Sequence, residues 1–167
     1  MAKIFSKKDM IKLQTLLRKS KKTITTAESC TGGLVASMIT QISGSSDIFN
    51  GSIITYSNKI KNQELGVLNS TLEEFGAVSK EVVKEMIEGV LKKFEASFAI
   101  AISGVAGPNG GTKHKPVGTV IIGIANNNNI KKIKIYHLKG SRISIQKQSA
   151  NIALSKILKF VSKTIDN

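Results

Sequence analysis

The chain has 167 residues, 41% of them apolar and 5% aromatic, with no Trp, a formal net charge of +14 and one cysteine. A chain of this length buries about two-thirds of the surface its unfolded form exposes, so it needs no disulfide or metal staple, and its apolar content excludes a disordered protein. One cysteine excludes an internal disulfide, two histidines leave a zinc site short of ligands, and no apolar run reaches the roughly 18 residues of a spanning helix.

The expectation is therefore one cytoplasmic domain over residues 1–167 that holds no metal and no cofactor and does not enter a membrane. The positive charge attracts phosphate without sequence-specific contact, which raises nucleic acid as a partner. Against that stands the arginine count: only Arg18 and Arg142 among 25 basic residues, whereas readers of phosphate and base edges favour the planar guanidinium. A solvated lysine surface accounts better for the charge, and each arginine is the more informative for its rarity.

In chain order, residues 6–19 pattern as a helix, because Ser6 and Asp9 resemble a capping box and Met10, Leu13, Leu16 and Leu17 recur at helical spacing. The β-branched segment 22–27 reads as a buried strand, followed by a turn at 28–31 and a helix through "GGLVASMITQI". "GSIITYS" predicts a second strand over 51–57 and "ASFAIAIS" a third over 96–103. Between them Ser79 caps an amphipathic helix whose inner face carries Val82, Val83, Met86, Ile87, Val90, Leu91 and Phe94.

"GVAGPNGGTKHKP" is a loop, and strands over 117–125 and 130–138 are joined by "NNNN" as a hairpin. A closing helix from residue 143 carries an apolar stripe from Ile145 to Ile165. Strands alternating with helices, then a terminal hairpin and helix, predict a three-layer α/β/α domain. Its sheet is mixed and mainly parallel, with a late antiparallel hairpin. Ligands gather at strand C-terminal ends in such sheets, where Ser29, Tyr56 and Ser103 fall.

"TTAESCTGG", residues 25–33, is the first segment that suggests chemistry. At a strand-to-helix turn the Ser29 hydroxyl projects from the sheet edge, and free N–H groups of the next turn face the same space as half an oxyanion hole. Gly32 and Gly33 let backbone or ligand approach closely. A helix N-cap role for Ser29 or Thr31 stands beside this reading. Cys30 reads as a small buried residue beside the turn rather than as a thiolate.

A serine nucleophile needs a base. His137 lies in the late hairpin and His114 in "KHK", so a Ser-His-Asp triad has no well-placed histidine. Lysine replaces histidine where desolvation or a neighbouring positive charge lowers its pKa. "YSNKIK", residues 56–61, offers Lys59 and Lys61 near the sheet's C-terminal edge, with Tyr56 and Asn58 as hydrogen-bonding groups.

The S-x-x-K match of Ser144 and Lys147 falls in the closing helix and reads as accidental. "SGVAGPNGG", residues 103–111, holds four glycines around Pro108 and can present amides to an anion, although it matches neither the P-loop nor the dinucleotide fingerprint.

Over about residues 10–160, "TTAESCTGG", "ITQISGSSDIFNGSIITYSN", "GAVSKEVV", "SGVAGPNGG" and "KPVGTV" follow one another in an order and near-spacing that resemble a known family. It is the C-terminal domain of the CinA competence-damage proteins, which includes stand-alone nicotinamide mononucleotide (NMN) amidases. The chain leaves no room for the extra N-terminal domain of longer CinA proteins and looks like the short, amidase-only form. The resemblance implies hydrolysis of NMN to nicotinic acid mononucleotide and ammonia through a serine–lysine dyad and an acyl-enzyme, without a cofactor.

Matched by motif, it implies Ser29 as nucleophile, Lys61 at the close of "YSNxxK" as base, Ser103 as a hydroxyl assisting proton transfer, and Arg142 of "GSR" as a ligand-facing arginine. On that mechanism N–H groups near Cys30 and Thr31, beside Gly32, hold the oxyanion, and Arg142 clamps the phosphate. Backbone of Gly104, Ala106 and Gly107, with Tyr56 and Asn58, reads ribose or ring. The family often has glutamate where this chain has Lys59. That leaves Lys59 and Lys61 as adjacent candidates, with Lys61 fitting the motif and Lys59 able to lower its neighbour's pKa if both face inward.

The expected partner is thus a small-molecule nucleotide substrate, with nucleic acid and membrane disfavoured. A catalytically silent nucleotide-binding module and a competence-related nucleic-acid-binding protein remain as alternatives. The late hairpin also offers a sheet edge with which another copy of the chain can pair.

Overall fold

The Ser6 hydroxyl accepts the Asp9 N–H at 3.1 Å, and the Asp9 carboxylate accepts the Ser6 N–H at 3.0 Å. This reciprocal pair closes the capping box expected from the sequence and starts α1 (Lys7–Lys19), which buries Met10, Leu13 and Leu17. The structure, a computed structural model, describes residues 4–165. The first three and last two residues of the 1–167 span lie outside the described residues.

After α1 come β1 (Ile24–Glu28), α2 (Leu34–Thr40), β2 (Phe49–Ile54), α3 (Asn58–Leu65), α4 (Asn69–Phe75), α5 (Lys80–Phe94), β3 (Phe98–Gly104), β4 (Thr119–Asn126), β5 (Lys131–His137) and α6 (Arg142–Ile165). The sheet order is β2-β1-β3-β4-β5. β1 lies parallel to both β2 and β3, whereas β4 runs antiparallel to β3 and β5 antiparallel to β4. Only β4 opposes the other strands, which is the mixed, mainly parallel sheet with a late hairpin that the pattern predicts.

Alternate side chains leave a strand on opposite faces. Ile100, Ile102, Val120, Ile122 and Ile124 pack with α1, α2 and α6, while Ala99, Ala101, Ile121 and Ala125 pack with α3, α4 and α5. Both helical layers therefore draw their apolar stripes onto one sheet, which gives the three-layer architecture. In α5, Val82, Val83, Met86, Ile87 and Val90 are all fully buried, as their spacing predicts.

Two departures from the pattern shape the site. The second strand ends at Ile54 rather than 57, because Ser57 becomes the N-cap of α3 and its hydroxyl accepts the Ile60 N–H at 3.2 Å. α3 and α4 themselves escape the periodicity reading. The buried residues of α3 are Lys61 and Leu65, and those of α4 are Thr71 and Leu72, so polar side chains hold inner positions and the apolar stripe is broken.

Glycine sets two further features. Gly32 and Gly33 have φ of 58° and 98°, so α2 begins at Leu34 and not within the glycine pair. In α5, Gly89 meets the end of α3 so closely that a Cβ there would lie 2.0 Å from the Leu65 carbonyl oxygen. Contact of two helix backbones at this point seats α3 against α5.

Candidate active site

β1 ends with Glu28 and the chain continues into Ser29, so their side chains leave on opposite faces of the sheet. Glu28 faces α2 and is fully buried. Its carboxylate accepts the Thr31 hydroxyl at 2.7 Å, the Val35 and Ala36 N–H groups at 3.0 and 2.9 Å, and the Thr26 hydroxyl at 3.2 Å. A carboxylate on the first free amides of a helix both satisfies them and complements the helix dipole.

Glu28 rather than Ser29 or Thr31 thus closes the start of α2, and the Ser29 hydroxyl is left for other work. The amides of Val35 and Ala36 are also taken, so donors facing Ser29 must come from the turn itself. There the N–H groups of Thr31 and Gly33 have no acceptor among the described residues. Glu28→Gln turns an NH2 group toward helix N–H donors and is expected to lower stability by about 2 kcal/mol, seen as a reduced thermal unfolding midpoint.

On the other face, α3 delivers Lys61. The Ser57 cap fixes the start of this helix, and Lys61 shares its inner face with Leu65 one turn later. Lys61 is 1% exposed. Its Nζ lies 3.2 Å from Ser29 Oγ and 2.7 Å from the Thr55 carbonyl oxygen. Among the described residues the ion pairs are Arg18–Asp47, Lys93–Glu64 and Lys131–Glu88, and none reaches Lys61.

Burial without a carboxylate partner pushes the Lys61 amine below its ordinary pKa of 10.5, while charge on nearby Cys30 would work the other way. Nζ donates to both the Thr55 carbonyl oxygen and Ser29 Oγ. Lys59 is exposed. Two residues apart on a helix, it does not share the inner face of Lys61, so desolvation and not a neighbouring lysine accounts for the shift.

The Ser29 N–H donates to the Ile102 carbonyl at 3.0 Å, which sets Ser29 beside the end of β3. Ser103 comes next on that strand, buried, but its hydroxyl donates to the Ala77 carbonyl at 2.7 Å and makes no hydrogen bond to Ser29 or Lys61. The Cys30 thiol is pushed up to about 12, chiefly by burial, which makes it a poor nucleophile.

Arg142 opens α6 and donates to the Gly107 carbonyl and the Tyr56 hydroxyl, both at 2.7 Å. One turn later, Gln146 donates to the Cys30 carbonyl at 2.9 Å. The start of α6 therefore ties together the 29–33 turn, the segment after β2 and the loop after β3. Gly104 ends β3 and Ala106 is buried in that loop, whereas Asn58 is exposed at the start of α3 and makes no hydrogen bond within the site.

Sequence reasoning missed Glu28, Thr55 and Gln146. Gln146 had a usable signal, since it stands four residues from Arg142 and so on the same helix face. Thr55 acts through its backbone carbonyl, which no side-chain pattern reports.

A cleft of about 440 Å³ opens beside the turn, with Thr31, Gly32, Gly33, Ile143 and Gln146 on its walls. Another cavity, of about 680 Å³, lies between Ile4 and α6 and holds none of the predicted site residues. His114 and His137 both stand at another cavity, beside the start of α5, so neither completes a triad with Ser29. Among the described residues no three His, Cys, Asp or Glu are grouped to hold a metal, and no described helix is long and apolar enough to cross a membrane.

The model of the CinA C-terminal domain matches residues 7–161. A CinA-like protein of Endomicrobium trichonymphae is 52% identical over 139 residues, which are 83% of this chain and 32% of that protein. A CinA-like protein of Thermotoga neapolitana is 45% identical over 148 residues, 89% of this chain and 36% of that protein. The chain thus spans about a third of the length of these curated relatives.

Among solved structures, a competence-damaged protein (CinA) superfamily protein from Klebsiella pneumoniae superposes with a TM-score of 0.88 at 29% identity, covering 93% of this chain and 97% of that one. The competence/damage inducible protein CihA from Agrobacterium tumefaciens gives 0.86 at 33% identity, covering 94% and 98%. With sequence match and architecture agreeing over nearly all of the described residues, the chain belongs to the CinA C-terminal domain family.

Proposed function

We propose that the chain hydrolyses the carboxamide of NMN, giving nicotinic acid mononucleotide and ammonia, with Ser29 as nucleophile and Lys61 as general base. The observation that carries this reading is the buried Lys61 amine, paired with no carboxylate among the described residues and 3.2 Å from Ser29 Oγ. That contact is within or near the reach needed for direct proton transfer. A lysine held neutral by desolvation is the lysine counterpart of a catalytic histidine.

In the proposed cycle Lys61 takes the Ser29 proton as Oγ bonds to the carboxamide carbon. The resulting oxyanion is stabilised by turn amides near Cys30 and Thr31, the latter having no acceptor among the described residues. The Lys61 ammonium then protonates the departing nitrogen, the C–N bond breaks and ammonia leaves an acyl-Ser29. Water gives its proton to Lys61, adds to the acyl carbon, and the C–Oγ bond breaks to release the acid and restore the hydroxyl. Ser103, beside Ser29, assists proton movement once its hydroxyl turns from Ala77.

Arg142 is bonded to two neutral oxygens and makes no ion pair among the described residues, which leaves its charge available to a phosphate. Loss of that contact is expected to act on binding first, so Arg142→Ala raises KM by about tenfold or more with kcat little changed. The reading is tested by incubating the chain with NMN and measuring ammonia against nicotinic acid mononucleotide. Equal release of the two is expected. NMN binding without ammonia would make the domain a silent nucleotide binder, and a salt-sensitive complex with duplex DNA without ammonia would favour the nucleic-acid alternative.

A further inference from the structure

Both histidines of the chain lie outside the site described above, yet the fold brings them to one place. His114 comes from the loop before β4 and His137 from the end of β5, and both line a cavity of about 510 Å³ against the first turn of α5. Its floor is one face of the β4–β5 hairpin. Thr119 pairs with His137 and Ile121 with Ile135, so these four side chains share a face.

Three features of this cavity point to an anion. α5 is a 15-residue helix that opens here; Ser79 accepts the Val82 N–H, and the N–H groups of Lys80 and Glu81 have no acceptor among the described residues. Thr119 is 4% exposed, and its Oγ1 is buried without a hydrogen-bond partner among the described residues. A buried hydroxyl in that state lacks a partner that a bound oxygen would supply.

The third feature is the lining itself, where Lys80 and two imidazoles outnumber the single carboxylate of Glu81. Lys115 braces the wall by donating to the Phe75 carbonyl at 2.5 Å. Among the described residues no three His, Cys, Asp or Glu are grouped to hold a metal, and the two imidazoles offer hydrogen-bonding nitrogens to the cavity. Ile121 and Ile135 add an apolar shelf, of which Ile135 is 45% exposed.

We infer that this cavity binds a small organic phosphate, with its phosphoryl group at the start of α5 beside Thr119 and the imidazoles and its apolar body on Ile121 and Ile135. The site is distinct from the Ser29 side of the sheet edge. Its lining includes none of Ser29, Lys61, Ser103 and Arg142, although Ser103 is the cross-strand neighbour of Ile121. The inference does not depend on the amidase reading.

Because the chain has only two histidines, the imidazole NMR signals of the full chain report on this cavity directly. Phenyl phosphate is the probe. Both imidazoles are expected to shift saturably, in the wild type and in Arg142→Ala alike. Thr119→Val keeps the side-chain shape without the hydroxyl and should weaken binding about tenfold, with Thr119→Ser restoring it. Ile135→Glu, at an exposed position, should weaken binding by charge repulsion without disturbing the buried hydroxyl, which keeps the test open if Thr119→Val fails to fold. Signals that stay fixed, move without saturating, or lose their response in Arg142→Ala would overturn the site, as would undiminished binding by folded Thr119→Val or by Ile135→Glu.

Discussion

Ser29→Ala is expected to reduce ammonia release from NMN by about ten-thousand-fold or more, and Lys61→Met by a comparable factor. On the proposed mechanism the two residues act as one unit through a single contact, so the double variant should be little worse than either single one. Folding should survive both changes, and pH gives the Lys61 effect a distinct sign. The folded-state pKa of Lys61 lies below 10.5, so the unfolded chain binds the proton more tightly.

Burying the ammonium therefore costs stability at every pH below the folded-state value. That cost disappears as pH rises from the lowered value to 10.5. Across this window the wild type should gain stability relative to Lys61→Met, measured by denaturant unfolding at a series of pH values. Wild-type turnover by Ser29→Ala would remove the nucleophile from the mechanism.

Gly89→Ala should damage both stability and turnover, although Gly89 touches neither Ser29 nor Lys61. A Cβ at this position would stand 2.0, 2.8 and 2.9 Å from the carbonyl oxygen, carbonyl carbon and Cα of Leu65, all of them backbone atoms that no rotamer change can move. α3 must shift, and with it Lys61 one turn upstream. The expected loss is about 3 kcal/mol of stability from overpacking. A displacement of Nζ by about 1 Å would also lower kcat about a hundredfold. Unchanged stability and turnover in Gly89→Ala would show that the contact between α3 and α5 does not hold the lysine in place.

These two predictions mark where the sequence is readable and where it is not. α5 is legible because every residue it buries is apolar and falls on one helical face. α3 is opaque for the opposite reason: its inner face carries Lys61, and a lysine in a basic chain reads as solvated. The burial that lowers the Lys61 pKa is what hides the helix from a hydrophobicity pattern. Its pairing with Ser29 could be anticipated only through the resemblance of "YSNKIK" and "AESCTGG" to a family.

The turn after β1 shows a different limit. Ser29 and Thr31 look like N-caps by residue type, but the cap is the carboxylate of Glu28, reaching from the last strand residue over a glycine-bent turn. Local residue preferences contain no term for so indirect a reach. Arg142 was recognisable by its rarity, whereas its bonds to Tyr56 and Gly107 join three segments that meet only in the folded chain. Ser103 falls beside Ser29 as expected, with its hydroxyl turned toward Ala77.

The most direct test of the account is the titration of Lys61 itself, followed by NMR in protein carrying 13C at the lysine Cε positions, with its signal identified by disappearance in Lys61→Met. The expected midpoint for Lys61 lies clearly below 10.5. A Lys61 that titrates at 10.5 or above would remain an ammonium while Ser29 is required to give up its proton, and would contradict the mechanism.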